Sequence, residues 1–366
     1  MLNHLPLHPP RSTAGTLPVQ VAVVGAGVAG AACAHTLAAS GANVTVFDKS
    51  RGVGGRLSTR RTVWMDASGQ ERPVQFDHGA SDFSAHSLAF RAVVQRGLDE
   101  GWIGRWSPTP SAVDAPFEHL VPMTGMPELC RALLGTQDVV TGEPVTGLHR
   151  VPGGWQIERD SGLWPQRFDQ VVLALPPAQA AALLRPHADG WADAAARVPM
   201  EACWTLMAVT DTPPGPAFDV LHPCRGPLAR IVRNDRKPGR QEIPGHAVWV
   251  AQASAAWSAH HRDDSPAAVS EALRDALRAV INPGGAVRWC HSTVHRWLYA
   301  RPAHTPLGGP GCWWDAAKGL GVCGDFLLGP QVEAAFLSGL DLAQAMSSTP
   351  SPRRSAGSGA ARFARM

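Results

Sequence analysis

Lysine is almost missing from this chain: Lys49, Lys237 and Lys318 are the only three in 366 residues, and tyrosine occurs once, at Tyr299. The positive charge is therefore carried by arginine, and the net charge is only +3. Spread over this length, that is not a nucleic-acid footprint. The seven cysteines (33, 130, 203, 224, 290, 312 and 323) show no CxxC or CxxH spacing. Their scatter argues against a zinc site and a disulfide framework, and for a reduced, cytoplasmic compartment. No run of about 18 apolar residues exists, so no membrane-spanning helix is predicted. The first 18 residues lack the apolar core of a signal peptide and read as a loose arm. What is plentiful is apolar mass. Hydrophobic residues make up 45% and charged residues 17%, enough for a large core and against disorder throughout.

The most informative segment comes first. Val19–Val24 is a valine-rich run suited to a strand buried on both faces. Gly25-Ala-Gly27-Val28-Ala29-Gly30 follows at once, then an Ala-rich helical stretch over Ala31–Ser40 closed by Gly41, then a strand at Asn43–Phe47 ending in Asp48. A glycine triplet alone is weak evidence. Here it has a strand before it, a helix after it and an acid at the end of the second strand. Gly25 suits a tight turn, Gly27 admits a pyrophosphate, and Gly30 permits close helix–strand packing. The helix start at Val28 and Ala29 offers free N–H groups to phosphate, and Asp48 suits adenosine ribose hydroxyls. A second loop, Lys49-Ser-Arg51-Gly-Val-Gly54-Gly55-Arg56-Leu57-Ser58, follows directly. A nicotinamide dehydrogenase does not need it; the longer FAD does, with glycines for close approach and Arg51 or Arg56 for phosphate charge.

With these motifs the chain resembles the monoamine-oxidase-like flavoproteins. Phe76-Asp77-His78-Gly79-Ala80 is similar to the segment that approaches the flavin ring in that family, and Val121–Met126 to its Gly-Met turn. Phe168–Pro177 resembles its strand-plus-proline segment, and Gly319–Gly339 its C-terminal flavin-closing motif. Within the superfamily the stretch 19–346 most resembles renalase and its bacterial relatives, through Arg233–Arg240, Trp249–Ser258 and His295–Ala300. The resemblance places His78, Gly79 and Ala80 at the flavin and Val145 beside the adenine. Asp325 would accept a hydrogen bond from a ribityl hydroxyl or meet the phosphates. The helix opening at Gln331, Val332 and Glu333 would aim N–H groups at the flavin N1–C2=O edge.

The predicted architecture is α/β in two domains, a Rossmann-type FAD-binding domain with a smaller mixed-sheet substrate domain. The first takes 19–81, 117–197 and 301–346, and the second takes 82–116 and 198–300. An arm over 1–18 and a Ser/Pro/Arg-rich tail over 347–366 are expected to be disordered. The substrate domain should roof the flavin, with strands near Cys203–Val209, Ala229–Val232, Ala247–Ala251 and Val287–Arg296 and a helix over Pro266–Val280. A strand is also expected over Val139–Val145.

Three functions compete. A renalase-like oxidase takes a hydride from a 2- or 6-dihydroNAD(P) isomer into flavin N5, and oxygen then restores the flavin with release of hydrogen peroxide. Positioning suffices for such a step, which fits a chain without a Ser/His/Asp or Cys/His signature. An amine oxidase of the superfamily uses an aromatic pair, often tyrosines, and a lysine near N5. One tyrosine, and no lysine around Val287–Arg296, lower that reading. The third is a non-catalytic FAD-binding protein. Asn234 and Gln252 are the candidates for positioning substrate, and Arg233 and Arg240 for its phosphates. No metal constellation is expected among the fifteen histidines. The expected partners are a small-molecule substrate and oxygen, without nucleic acid or membrane.

Overall fold

The fold is described from a computed structural model over residues 18–109, 118–211, 218–306 and 308–348; the arm and nearly all of the tail lie outside the described residues. The valine-rich run forms the strand Gln20–Val24 and pairs in parallel with Asn43–Asp48 on one side and Gln170–Leu173 on the other. Being central, it is buried on both faces, which is why its sequence is apolar without alternation. The full order is Cys312–Asp315, Leu320–Cys323, Gln170–Leu173, Gln20–Val24, Asn43–Asp48, Asp138–Thr141, with only the edge strand Cys312–Asp315 antiparallel. The chain leaves the central strand toward one edge and returns on the other side. That reversal opens a crevice at the carboxyl ends of the strands, where α/β sheets bind ligands.

Several boundaries differ from expectation, and two of them bear on the cofactor end. The nucleotide helix spans Val28–Ala39 and begins inside the glycine motif, because Gly27 takes the extended N-cap position. The run predicted as one strand over Val139–Val145 is two. Asp138–Thr141 joins the parallel sheet, and Val145–Val151 starts a separate sheet with Gly154–Arg159 and Gly162–Leu163. The break is Gly142, at φ 83°, whose N–H donates to the carbonyls of Asp48 and Ser50.

The C-terminal helix Val332–Ser348 crosses the nucleotide helix so closely that a Cβ on Gly339 would stand 2.1 Å from the Ala29 carbonyl oxygen. Helix Leu88–Asp99 packs on it through Phe90 and Phe336, whose rings are 4.9 Å apart.

The roof is a five-stranded sheet in the order Val220–Leu221, Leu228–Arg233, His246–Ala253, Met200–Asp211, Trp289–Pro302. It is antiparallel at every pairing, so the mixture of directions lies in the cofactor sheet. Helix Pro266–Ile281 covers one face with Val269, Leu273, Leu277 and Ile281, four apart along a single stripe and all buried. The other face meets the hairpin Arg60–Met65/Glu71–Phe76, where Trp64, Val74 and Phe76 pack on Met207, Val209, Val248 and Val250. Truncating Leu273 or Leu277 of that helix to alanine would cost about 2–5 kcal/mol. Among the described residues no helix is long and apolar enough to cross a membrane.

Candidate active site

A cavity of about 1200 Å³ runs between the carboxyl edge of the parallel sheet and the roof. At one end lie the two glycine loops. They touch: the Gly54 N–H donates to the Ala26 carbonyl at 2.9 Å, and Gly27 and Gly54 form a bridge. Gly25 has φ 110°, and a Cβ there would meet the Ala174 carbonyl oxygen at 2.3 Å. A Cβ on Gly30 would stand 1.9 Å from the Gly25 carbonyl oxygen, so Gly30 packs beneath the loop and does not face the cavity. Gly27 has open space where a Cβ would sit, and lines the cavity with Val28 and Ala29 at the free N–H end of the nucleotide helix. Asp48 lies at the cavity wall. One carboxylate oxygen accepts from Ala26 N and the other from Ser50 N, both at 2.8 Å, and each retains a lone pair for a ligand.

Other predicted residues meet the cavity in different ways. Lys49, Gly55, Leu57, Gly79, Ala80, Val145, Gln331 and Val332 line it, whereas Arg51 is exposed and does not. Arg56 and Asp325, expected to reach phosphate or ribityl oxygens separately, pair with each other through two hydrogen bonds of 2.7 Å, and both line the wall. Glu333 faces away. Its carboxylate accepts from the backbone N–H groups of His86 and Ser87, because the C-terminal helix packs beside that turn.

Asn234 is not at the cavity. Its side chain is consumed structurally, donating to the Gln75 carbonyl and accepting from Asp77 N. Arg233 pairs with Asp235, and Arg240 with Asp77, so neither is available to a substrate phosphate. Gln252 does reach the cavity, with Nε2 donating to the Gly79 carbonyl at 2.7 Å.

These contacts share a purpose. The segment 77–81 is pinned from the roof side at nearly every residue. Lys237 is fully buried and donates to Asp77 at 2.9 Å and to the Ser81 carbonyl at 2.7 Å. Burial raises the Asp77 carboxyl, but the neighbouring Lys237 and Arg240 charges outweigh it and hold it below its ordinary value. Sequence reasoning missed this triad. The available signal was an acid inside an apolar motif in a chain with only three lysines.

The roof strand places His295, Trp297 and Tyr299 at the cavity, alternating along one face. Trp297 stacks on His78 with ring centres 5.1 Å apart, and its Nε1 donates to the His78 carbonyl; His295 meets the His78 ring edge-on at 4.9 Å. Burial, with help from His295 and Arg60, pushes His78 down to about 4, and burial also lowers His295. Both imidazoles are therefore neutral at pH 7. His78 Nδ1 is buried without a protein partner. The open space at Gly27, the spare lone pairs of Asp48 and this orphaned nitrogen all fit FAD laid along the cavity. The remaining acids on the wall are engaged: Asp82 with Arg230 and His119, Glu201 with Arg301.

Residues 23–96 match the NAD(P)-binding Rossmann-like domain family, and residues 71–347 match the family described as flavin containing amine oxidoreductase. Solved structures share the fold. A putative protoporphyrinogen oxidase from Exiguobacterium sp. is 13% identical, with a TM-score of 0.69 over 91% of this chain and 99% of that one. Cyclohexylamine oxidase from Brevibacterium oxydans is 13% identical, with a TM-score of 0.63 over 90% of this chain and 99% of that one. An oxidoreductase from Methanosarcina mazei is 13% identical, with a TM-score of 0.57 over 87% of this chain and 98% of that one.

Proposed function

The chain belongs to the flavin-containing amine oxidoreductases and is an FAD-dependent oxidoreductase, and within that family we propose that it is a renalase-like oxidase of dihydronicotinamide isomers, 2- or 6-dihydroNAD(P). Bound FAD would supply two-electron acceptance, with reoxidation by oxygen to hydrogen peroxide. The chain would hold it through Gly27, Val28 and Ala29 at the pyrophosphate, Asp48 at the ribose and the segment His78–Ala80 at the ring.

One observation carries the choice of substrate. Every acidic side chain lining the cavity is engaged by a protein partner, and the imidazoles at its aromatic wall are neutral. Among the described residues no carboxylate lining the cavity lacks a protein partner. A dihydronicotinamide ring is uncharged and planar, and suits a wall made of His78, His295 and Trp297. Gln252, anchored on Gly79, has an amide oxygen with which to orient a carboxamide. No residue has to move a proton, because aromatisation of the ring drives the loss of hydride; the chain's task is to position and to exclude water.

The second reading is oxidation of a small amine, favoured by Trp297 and Tyr299 standing on one strand face as an aromatic pair. Anaerobic stopped-flow mixing separates the two. 6-DihydroNAD should bleach the flavin band far faster than benzylamine or a polyamine, at a rate level between pH 7 and 8, where both imidazoles of the wall are neutral. Gln252→Ala should slow it by roughly five- to a hundred-fold with FAD still bound. Fast bleaching by an amine, rising with pH as the amine loses its proton, and no response to the isomers would overturn the proposal in favour of amine oxidation.

A further inference from the structure

The far ends of three adjacent roof strands bring together a donor set that the flavin chemistry does not use. Asp211 ends Met200–Asp211, His246 begins His246–Ala253 and lies directly opposite it, and Cys290 is near the start of Trp289–Pro302. Strand register explains how Cys290 comes to join them. Val209 pairs with His291 and Thr210 with Trp289, so Cys290 is the extra residue of a β-bulge, a device that re-aims one side chain. Its Sγ lies 3.4 Å from Asp211 Oδ1, and His246 Nε2 lies 3.8 Å from the same oxygen. The three donor atoms fall within 4.8 Å of one another, and all three residues are partly accessible.

We propose that Asp211, His246 and Cys290 form a site for a divalent zinc-class metal ion. Metal bonds of about 2.0–2.3 Å at tetrahedral angles set ligand atoms roughly 3.3–3.8 Å apart, and the two separations above fall in that range. The outer contacts are also those of a metal site. His246 Nδ1 lies 2.9 Å from the Pro244 carbonyl oxygen, which only accepts, so Nδ1 carries the proton and Nε2 presents its lone pair to the cluster. Arg288 Nε lies 3.4 Å from Asp211 Oδ2 and so orients the carboxylate, whose Oδ1 is the atom that meets Cys290 and His246. Imidazole, thiolate and carboxylate together suit Zn²⁺ and exclude the all-oxygen cations Mg²⁺ and Ca²⁺. Three protein ligands leave the fourth position to water.

The site is separate from the cofactor. Along its strand, Asp211 is eight residues from the cavity-lining Cys203, on the order of 27 Å at about 3.4 Å per residue. A metal there would clamp three strands together at the rim of the roof.

The test uses the flavin-loaded protein, with Zn²⁺ and then Co²⁺ as probes. After incubation and desalting, the wild type should retain one equivalent of Zn²⁺ more than either Cys290→Ser or His246→Gln. Affinity in each variant should fall by more than the roughly 10–100-fold that loss of an outer-shell partner costs. Co²⁺ should give a thiolate absorption in the wild type that is missing from Cys290→Ser, while an unchanged flavin spectrum certifies the variant's fold. His246→Gln serves if Cys290→Ser does not fold. Equal retention of Zn²⁺ by wild type and variants, or no retention at all, would overturn the site.

Discussion

Asp48 has two duties, and separating them is the sharpest test at the residue scale. Its carboxylate ties the first glycine loop to the second through Ala26 N and Ser50 N, and its spare lone pairs face the cavity. Hydrogen bonds to a charged acceptor are worth about 1.5–3 kcal/mol each. Asp48→Ala should therefore lower FAD affinity at least tenfold, measured by titrating apoprotein with FAD and following flavin fluorescence. Asp48→Asn keeps one oxygen and should lose less. Equal affinity in all three proteins would remove Asp48 from the ribose. Asn234 and Gln252 show how much the identity of a residue leaves open. Both are amides in roof motifs, yet Asn234 is spent on Gln75 and Asp77, while Gln252 stands at the cavity wall.

At the scale of elements, the decisive contact is the crossing of the C-terminal helix over the nucleotide helix. A Cβ on Gly339 would press on backbone, 2.1 Å from the Ala29 carbonyl oxygen and 3.1 Å from Cys33 N, where no side chain can swing aside. Gly339→Ala must push the helices apart, and overpacking of this kind costs about 1–3 kcal/mol. The same displacement moves Val28 and Ala29, which line the cavity. Urea denaturation should show the stability loss, and FAD titration should show weaker binding in the same variant. Lost stability with full FAD affinity would mean that the nucleotide helix holds its place and the C-terminal helix alone gives way.

Across the whole molecule, the cavity has one wall on the parallel sheet and the other on the roof, so FAD would touch both. A ligand that binds only the folded protein stabilises it by about 2.7 kcal/mol at a hundred times its Kd. The melting temperature followed by tryptophan fluorescence should therefore rise steadily as FAD is added to apoprotein, through a single transition. A Tm indifferent to FAD would mean that the two walls do not close on it.

The sequence by itself determined the nucleotide unit: strand, glycine turn, helix and acid are contiguous, and each obeys local rules of sterics and hydrogen bonding. The FAD cofactor followed from the second glycine loop beside it and the oxidoreductase class from the family resemblance, and both stand with the family match. Only the tertiary structure decided which charges meet. Arg56 finds Asp325 across 269 positions and Lys237 finds Asp77 across 160, while the Glu333 carboxylate finds the backbone N–H of His86 across 247. It also decided that His78 is neutral, since burial sets that and local sequence does not display it. Asp211, His246 and Cys290 share no spacing motif, and a bulge and two strand registers bring them together. The physical reason is common to all of them. Backbone preference acts over a few residues, whereas ion pairing, desolvation and ligand clustering depend on distances in space, which only long-range strand pairing and helix packing create.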